Sequence, residues 1–276
     1  MFLNTTRALK EGYPSLSRPI CSLIIQIITR REIPGIWKHG EVLPFLKSGD
    51  TMAKTNYRPV TILPVISKVF EKCLCPQWTS YFETILPRTL TAYRKNHSRC
   101  ATLLRLTEDW KTEADLDNII GATLIGLSKA FDRLPHNLLL EKLSAYSVSL
   151  ESLQLLTNYV KNRIQCVRLG NTRSTTGKLT SGVPQGSVLG PHVFNIFINN
   201  LFYNIKKAKI SAYADGKQLY FSNANVRIVQ KTLKFWISCG FELDHGQWSS
   251  AKSSEMWIVN FQKNKFQTQP SRGRKN

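Results

Sequence analysis

Ile210-Ser-Ala-Tyr213-Ala-Asp215-Gly216-Lys-Gln-Leu-Tyr-Phe221 reads as two short strands around a turn. Apolar and aromatic residues flank it on both sides, and Asp215-Gly216 between two such runs is a strong signal for a tight β-hairpin with that pair at its tip. On these residues alone the carboxylate is ordinary, because Asp is used freely in turns. Its meaning depends on the segments around it.

Immediately upstream, Thr180 to Pro191 (Thr-Ser-Gly-Val-Pro-Gln-Gly-Ser-Val-Leu-Gly-Pro) is a glycine- and proline-rich loop. Such a loop lets the backbone approach a ligand closely, or serves as a plain connector. A helix is expected from about His192 to Asn204, aligning Phe194, Ile198 and Leu201. Ile164 to Leu169 and Arg173 to Leu179 flank Gly170-Asn171 as a second hairpin, and helices are expected over Asn137–Tyr146 and Leu150–Asn162. Further back, Ile119 to Leu127 is a nearly continuous apolar run, short enough for a buried central strand, and it leads into Ser128-Lys129-Ala130-Phe131-Asp132.

The first hundred residues carry helices over Arg18–Arg31, stopped by Pro34, and from near Val65 with Val69, Phe70, Cys73 and Leu74 on one face. Pro76 is expected to break or kink that second helix. Between them lie a strand within Trp37–Lys47 and an extended stretch, Asn56 to Pro64. A basic loop, Tyr93-Arg94-Lys95-Asn96-His97-Ser98-Arg99, precedes a helix over Cys100–Asp117 expected to turn Leu103, Leu104, Thr107, Trp110 and Ala114 inward. Downstream of the opening stretch, Val226–Cys239 is helical, and beyond Phe261 the polar, basic, aperiodic sequence reads as a disordered tail.

The 276 residues, 42% of them hydrophobic, suffice for one large domain or two small ones with a sizeable core. An excess of 38 Lys+Arg over 18 Asp+Glu gives a formal charge of +20 and points to a polyanionic partner, nucleic acid foremost. The scattered cysteines and histidines have no metal-ligand spacing. The most apolar run, Ile20 to Ile28, is too short to cross a bilayer and no signal peptide precedes it, so an intracellular protein is expected, in nucleus or cytoplasm.

Taken in order, Asn56-Tyr57-Arg58-Pro59-Val60 through Glu71-Lys72, Ala92 to Ser98, Leu127 to Asp132, Ser181 to Leu201, and Tyr213-Ala214-Asp215 resemble the reverse transcriptase domain of non-LTR (LINE-type, jockey/CR1-like) retrotransposons. Residues Trp37 to about Phe221 carry the match. The resemblance implies an α+β right-hand polymerase fold: an N-terminal helical extension (1–36), fingers (37–117), a palm (118–222) whose antiparallel sheet combines the Ile119 strand with the opening hairpin, the start of an incomplete thumb or connector (223–262) and a basic tail (263–276). RNA template, RNA–DNA hybrid and dNTP are the implied partners.

The family's chemistry uses two Mg²⁺ ions held by three aspartates, one at the end of the first palm strand and two adjacent on the hairpin. Here Gly126 stands at the first position and Gly216 at the third, leaving Asp215 as the implied catalytic and metal-binding carboxylate. Asp132 is no substitute, since the family carries an aspartate there in addition. Hard cations need charged oxygen ligands, so Mg²⁺ is expected to bind weakly or not at all and the polymerase to be impaired or inactive. By the same resemblance Phe131 would lie under the sugar of the incoming nucleotide and Gln185 would line that pocket. Arg58, Arg94 and Lys95 would be the candidate phosphate contacts, with the one that reaches the triphosphate left open. The alternative is a nucleic-acid-binding protein, or a remnant, that has kept the fold.

Overall fold

A computed structural model describes residues 2–127, 131–214, 216–242 and 251–259. In chain order the elements are α1 (Phe2–Glu11), α2 (Tyr13–Arg30), β1 (His39–Leu46), β2 (Tyr57–Ile62), α3 (Val65–Glu83), α4 (Arg99–Asp115), β3 (Ile119–Leu127), α5 (His136–Ala145) and α6 (Leu150–Val160). There follow β4 (Arg163–Leu169), β5 (Thr172–Arg173), β6 (Gly177–Leu179), α7 (Gly190–Ile198), α8 (Asn200–Asn204), β7 (Lys209–Tyr213), β8 (Gly216–Asn223), α9 (Val226–Glu242) and β9 (Ala251–Val259). They form two compact units, each drawn from two separate segments: residues 1–81 with 131–197, and residues 82–130 with 198–276.

The first unit is built on a sheet of order β2-β1-β4-β5, with β6 also on β4. β1 and β2 run antiparallel, with Phe45 opposite Arg58, while β1 and β4 are parallel. Helix α3 runs through Pro76 without a break, contrary to expectation, and Cys73 is exposed rather than on the buried face. The face that does point inward carries Ser67, Phe70 and Glu71, which are 5%, 1% and 1% exposed.

Glu71 holds the glycine-rich loop in place. Its Oε2 accepts the backbone N–H groups of Val188 and Leu189, the latter at 3.1 Å, and Tyr159 donates its hydroxyl to Oε1 at 3.2 Å. Burial pushes this carboxyl above the usual carboxylate range, opposed by the two backbone donors and by Arg163. Arg163 is itself buried, donating to the carbonyls of Tyr159 (3.0 Å) and Trp37 (3.4 Å).

The second unit is a four-stranded antiparallel sheet of order β7-β8-β3-β9. β3 is central, as its apolar run predicts, and pairs with β8 from Ile119↔Asn223 to Gly126↔Gly216. Successive side chains alternate between the two faces. On one face α9 closes over Gly121, where a Cβ would fall 2.4 Å from Val229 Cγ1 and 2.7 Å from Leu233 Cδ1. On the other, Leu106 of α4 packs with Ala122 and Tyr220, flanked by Trp110, and Tyr220 donates its hydroxyl to Asp109 at 2.6 Å. Leu103 and Leu104, expected inward, are 59% and 63% exposed.

The expected single helix over His192–Asn204 is two helices, α7 and α8, divided at Asn199. The tail beyond Phe261 lies outside the described residues.

Glu71→Ala leaves two buried N–H donors without an acceptor and is expected to cost on the order of 3 kcal/mol, whereas Glu71→Gln keeps an acceptor oxygen. Because the folded carboxyl binds its proton more tightly than the unfolded one, the group's contribution to stability is greatest in acid and declines as pH rises through its raised folded value. Urea denaturation at mildly acidic and neutral pH should show that decline in the parent chain and lose it in Glu71→Gln.

Candidate active site

β7 and β8 form the hairpin, but the turn differs from the one anticipated. Tyr213 pairs with Gly216, so Gly216 is the first residue of β8 rather than part of the tip. The residue with left-handed backbone is Ala214, at φ 54°. Asp215 itself lies outside the described residues, as do Ser128 to Ala130. Gly216 is thus not a glycine that the turn requires.

The register brings Gly126 and Gly216 directly opposite each other across the β3–β8 ladder. A cleft of about 360 Å³ lies over this pair, lined also by Arg99, Leu103, Leu124 and Tyr213. The Arg99 guanidinium sits 4.9 Å from the centre of the Tyr213 ring. Arg99 and Lys217, the latter 2% exposed, are the charged residues among the described lining, and no described carboxylate joins them. A Cβ at Gly126 would meet nothing within 4 Å, and one at Gly216 would make only an ordinary contact, 3.5 Å from Tyr213 O.

In the first unit, Phe131 and Gln185 are brought together through Asp132. Gln185 donates its side-chain N–H to Asp132 Oδ1 at 2.9 Å, and its backbone carbonyl accepts from Thr61 N at 2.7 Å. Phe131 is half-buried, its ring 4.7 Å from that of the fully buried Phe194. The loop glycines serve these contacts. Gly182 has φ +82°, and a Cβ there would fall 2.6 Å from the Asp132 carbonyl oxygen; at Gly186, φ +140°, it would fall 2.3 Å from that of Thr61. The close approach that the composition suggested is to the protein's own backbone. His136, buried behind the loop, donates from Nε2 to the Gly182 carbonyl at 2.7 Å, and burial lowers its pKa, which keeps the ring neutral.

The three candidate phosphate contacts separate. Arg58 on β2 and Lys95 are exposed. Arg94 is not available for that role: its side chain is 4% exposed and its guanidinium is spent on the Glu83 carboxylate (2.7 Å) and on the carbonyls of Pro87 (2.6 Å) and Leu90 (2.8 Å). Sequence reasoning also missed Glu71, although a Glu beside Ser67, Phe70 and Leu74 on one helical face is a readable signal of a buried carboxylate.

β3 thus lies between an antiparallel hairpin and β9, with helices α4 and α9 packed on the two faces of the sheet. Residues 44–255 match the family of reverse transcriptases (RNA-dependent DNA polymerases), and the chain belongs to it. Its relatives are products of non-LTR elements. They include the probable RNA-directed DNA polymerase from transposon BS of Drosophila melanogaster, 29% identical over 231 residues (80% of this chain, 25% of that protein). Another is that of transposon X-element from the same fly, 30% identical over 184 residues (65% and 20%). That of the mobile element jockey from Drosophila funebris is 27% identical over 219 residues (79% and 22%). This chain therefore spans a quarter or less of these relatives' length.

In fold it is similar to apo telomerase from Candida tropicalis, with a TM-score of 0.59 at 11% identity over 86% of this chain and 53% of that one. Telomerase from Candida albicans, solved with a fragment of telomeric RNA, gives 0.57 at 11% over 88% and 46%. Among the described residues no helix is long and apolar enough to cross a membrane.

The glycines divide into two kinds. Gly182→Ala is expected to destabilise by about 1–3 kcal/mol, having both a positive φ and a backbone clash, whereas Gly126→Ala, within a strand and in open space, is expected to stabilise by about 0.5–1 kcal/mol. Thermal melts of the two variants beside the parent check the opposite signs.

Proposed function

We propose that this chain is a non-LTR reverse transcriptase domain that no longer supports polymerisation on its own residues and retains the capacity to bind nucleic acid. The observation that carries this reading is the cross-strand pair Gly126↔Gly216. The family works with Mg²⁺, an ion that demands charged oxygen ligands in near-ideal octahedral geometry and gives up water reluctantly. At this cleft the paired positions offer hydrogen atoms, and the charged side chains of the described lining are the cations Arg99 and Lys217. The donor set does not fit a two-metal centre. Asp215 alone, of the three implied carboxylates, would have to hold both ions against their hydration and against two positive neighbours.

The two sugar-facing residues that the family likeness suggests both lie in the first unit. Phe131, fixed by Phe194, and Gln185, fixed by Asp132, keep positions consistent with the sugar-facing roles that the family likeness gives them. Arg58 and Lys95 are the exposed cations left for phosphates. The +20 charge supports RNA template or RNA–DNA hybrid as the bound partner. A second reading, a protein whose work is binding alone, is favoured by Arg99, an exposed cation at the cleft that suits a phosphodiester better than a divalent metal.

Primer extension on an RNA template tests the proposal. The parent chain is expected to extend nothing measurable with Mg²⁺ or Mn²⁺, and extension by the unmodified chain would refute the reading. The double variant Gly126→Asp, Gly216→Asp is expected to gain metal-dependent extension, because both new side chains have room. Salt-sensitive RNA binding by a chain in which neither form extends would favour the binding protein.

A further inference from the structure

Within the first unit, Cys75 of α3 faces His192 in the first turn of α7. The thiol Sγ lies 3.2 Å from the imidazole Nε2, and Thr79 Oγ1 is 3.7 Å from the same sulfur. Thr79 spends its hydroxyl hydrogen on the Cys75 carbonyl at 2.5 Å, so it turns a lone pair towards the sulfur and offers no donor to a thiolate. His192 is the group placed to take the thiol proton. Burial alone lowers the pKa of its ring, which keeps the imidazole neutral, with one nitrogen free to accept. The tautomer protonated on Nδ1 presents that nitrogen to the sulfur. Cys75 is half-buried, whereas Cys21, Cys73 and Cys100 are exposed and have no imidazole within hydrogen-bond distance among the described residues.

We propose that Cys75 and His192 form a thiol–imidazole pair that makes Cys75 a site of covalent modification by hydrogen peroxide. Sγ attacks one peroxide oxygen as its proton passes to Nε2 of His192. The S–O bond forms, the O–O bond breaks, and the departing hydroxide takes the proton from the imidazolium and leaves as water. Sulfur is oxidised by two electrons to the sulfenic acid, and the peroxide is reduced. The thiolate is the nucleophile, and an adjacent base supplies it at the moment of attack. Cys73, two residues earlier on α3, does not face Cys75, so the sulfenic acid has no partner on its own helix and is left for an external thiol. Cys75 lies one turn beyond Glu71, whose carboxylate holds the N–H groups of Val188 and Leu189 just before α7. The modification therefore falls at the joint that anchors the glycine-rich loop. The inference does not depend on nucleic-acid binding or on the metal site.

Labelling of the full chain tests it, with iodoacetamide in one arm and hydrogen peroxide followed by dimedone in the other, the rate at each cysteine being read by peptide mass spectrometry. Exposure alone ranks Cys75 below Cys21, Cys73 and Cys100. The proposal reverses that order, with Cys75 expected to react about tenfold or more faster than Cys73 in the folded chain. In urea the advantage is expected to vanish, because the imidazole is no longer beside the sulfur. His192→Gln is expected to slow Cys75 by about tenfold or more while leaving Cys21 and Cys73 unchanged. Thr79→Val removes the hydroxyl but not the base and is expected to change the Cys75 rate about twofold or less.

A Cys75 slower than the exposed cysteines of the folded parent chain would overturn the proposal without recourse to any variant. An advantage that survives in urea would trace the reactivity to the neighbouring sequence and overturn the pair. An unchanged Cys75 rate in a His192→Gln chain that melts with the parent would show that the imidazole is not the base, with the same consequence. Alkylation of Cys75 without a dimedone adduct after peroxide would overturn the oxidation step. Should His192→Gln fail to fold, the order of rates in the parent chain and its loss in urea decide the matter.

Discussion

The antiparallel ladder between β3 and β8 is the constraint on which the second unit depends. Its register is set from both sides. Gly121 must face α9, because no other side chain fits beneath Val229 and Leu233, and Ala122 with Tyr220 must face Leu106 and Trp110 of α4. A slip of one residue would send every one of these to the wrong face. With the register pinned at that end, the far end follows, and Gly126 is carried opposite Gly216 whether or not either residue contributes chemistry. Packing lies around residues 121–122 and 219–220, and the cleft lies at 126 and 216. Packing and the cleft therefore depend on different residues of the same two strands.

A comparable division holds in the first unit. The glycine-rich loop, besides burying Val183 and Leu189, is positioned by buried polar bonds: Glu71 accepts Val188 and Leu189, His136 donates to Gly182, and Gln185 bridges to Asp132 while its carbonyl takes the Thr61 N–H. Left unpaired, each of these groups would cost about 1–3 kcal/mol, so the loop has one low-energy arrangement. The glycines at 182 and 186 permit it by letting the backbone lie against that of residues 131–132 and 61. The loop's composition, suggestive of a ligand cradle, is used first to build the wall that would face one.

Much of this was legible in the sequence. β3 occupies the span of its apolar run, the hairpin forms, and the Asn137 and Leu150 helices fall within a residue or two of their signals. What failed to read through has physical causes. Gly216 looked like the turn glycine because Asp-Gly is so strong a local signal, yet the ladder extends one pair further and Ala214 adopts the positive φ instead. Arg94 looked like a phosphate ligand because a cationic loop is indistinguishable in one dimension from a cation enclosed by the carbonyls of Pro87 and Leu90 and the carboxylate of Glu83. Leu103 and Leu104 satisfied helical spacing, but both are exposed, Leu103 at the open cleft beside Leu124 and Gly126. The pairing of distant segments into each unit, Phe131 to Phe197 with the chain's start, for instance, is carried by contacts that no local pattern records.

These separations bear on how binding and catalysis can part company. A two-metal centre is a short-range device: Mg²⁺ is held by a few charged oxygens at fixed angles, and removing two of three carboxylates removes most of the attraction at once. Attraction for a phosphodiester backbone is a sum over many cations, each contributing a small share of the released counterions. With an excess of 20 positive charges, the loss of any one pair of residues changes that sum little. On the proposed reading, glycine in place of a carboxylate at either position also leaves less negative charge beside Arg99. On the same reading, glycines at these two positions weaken a metal site while sparing the attraction for a phosphodiester backbone.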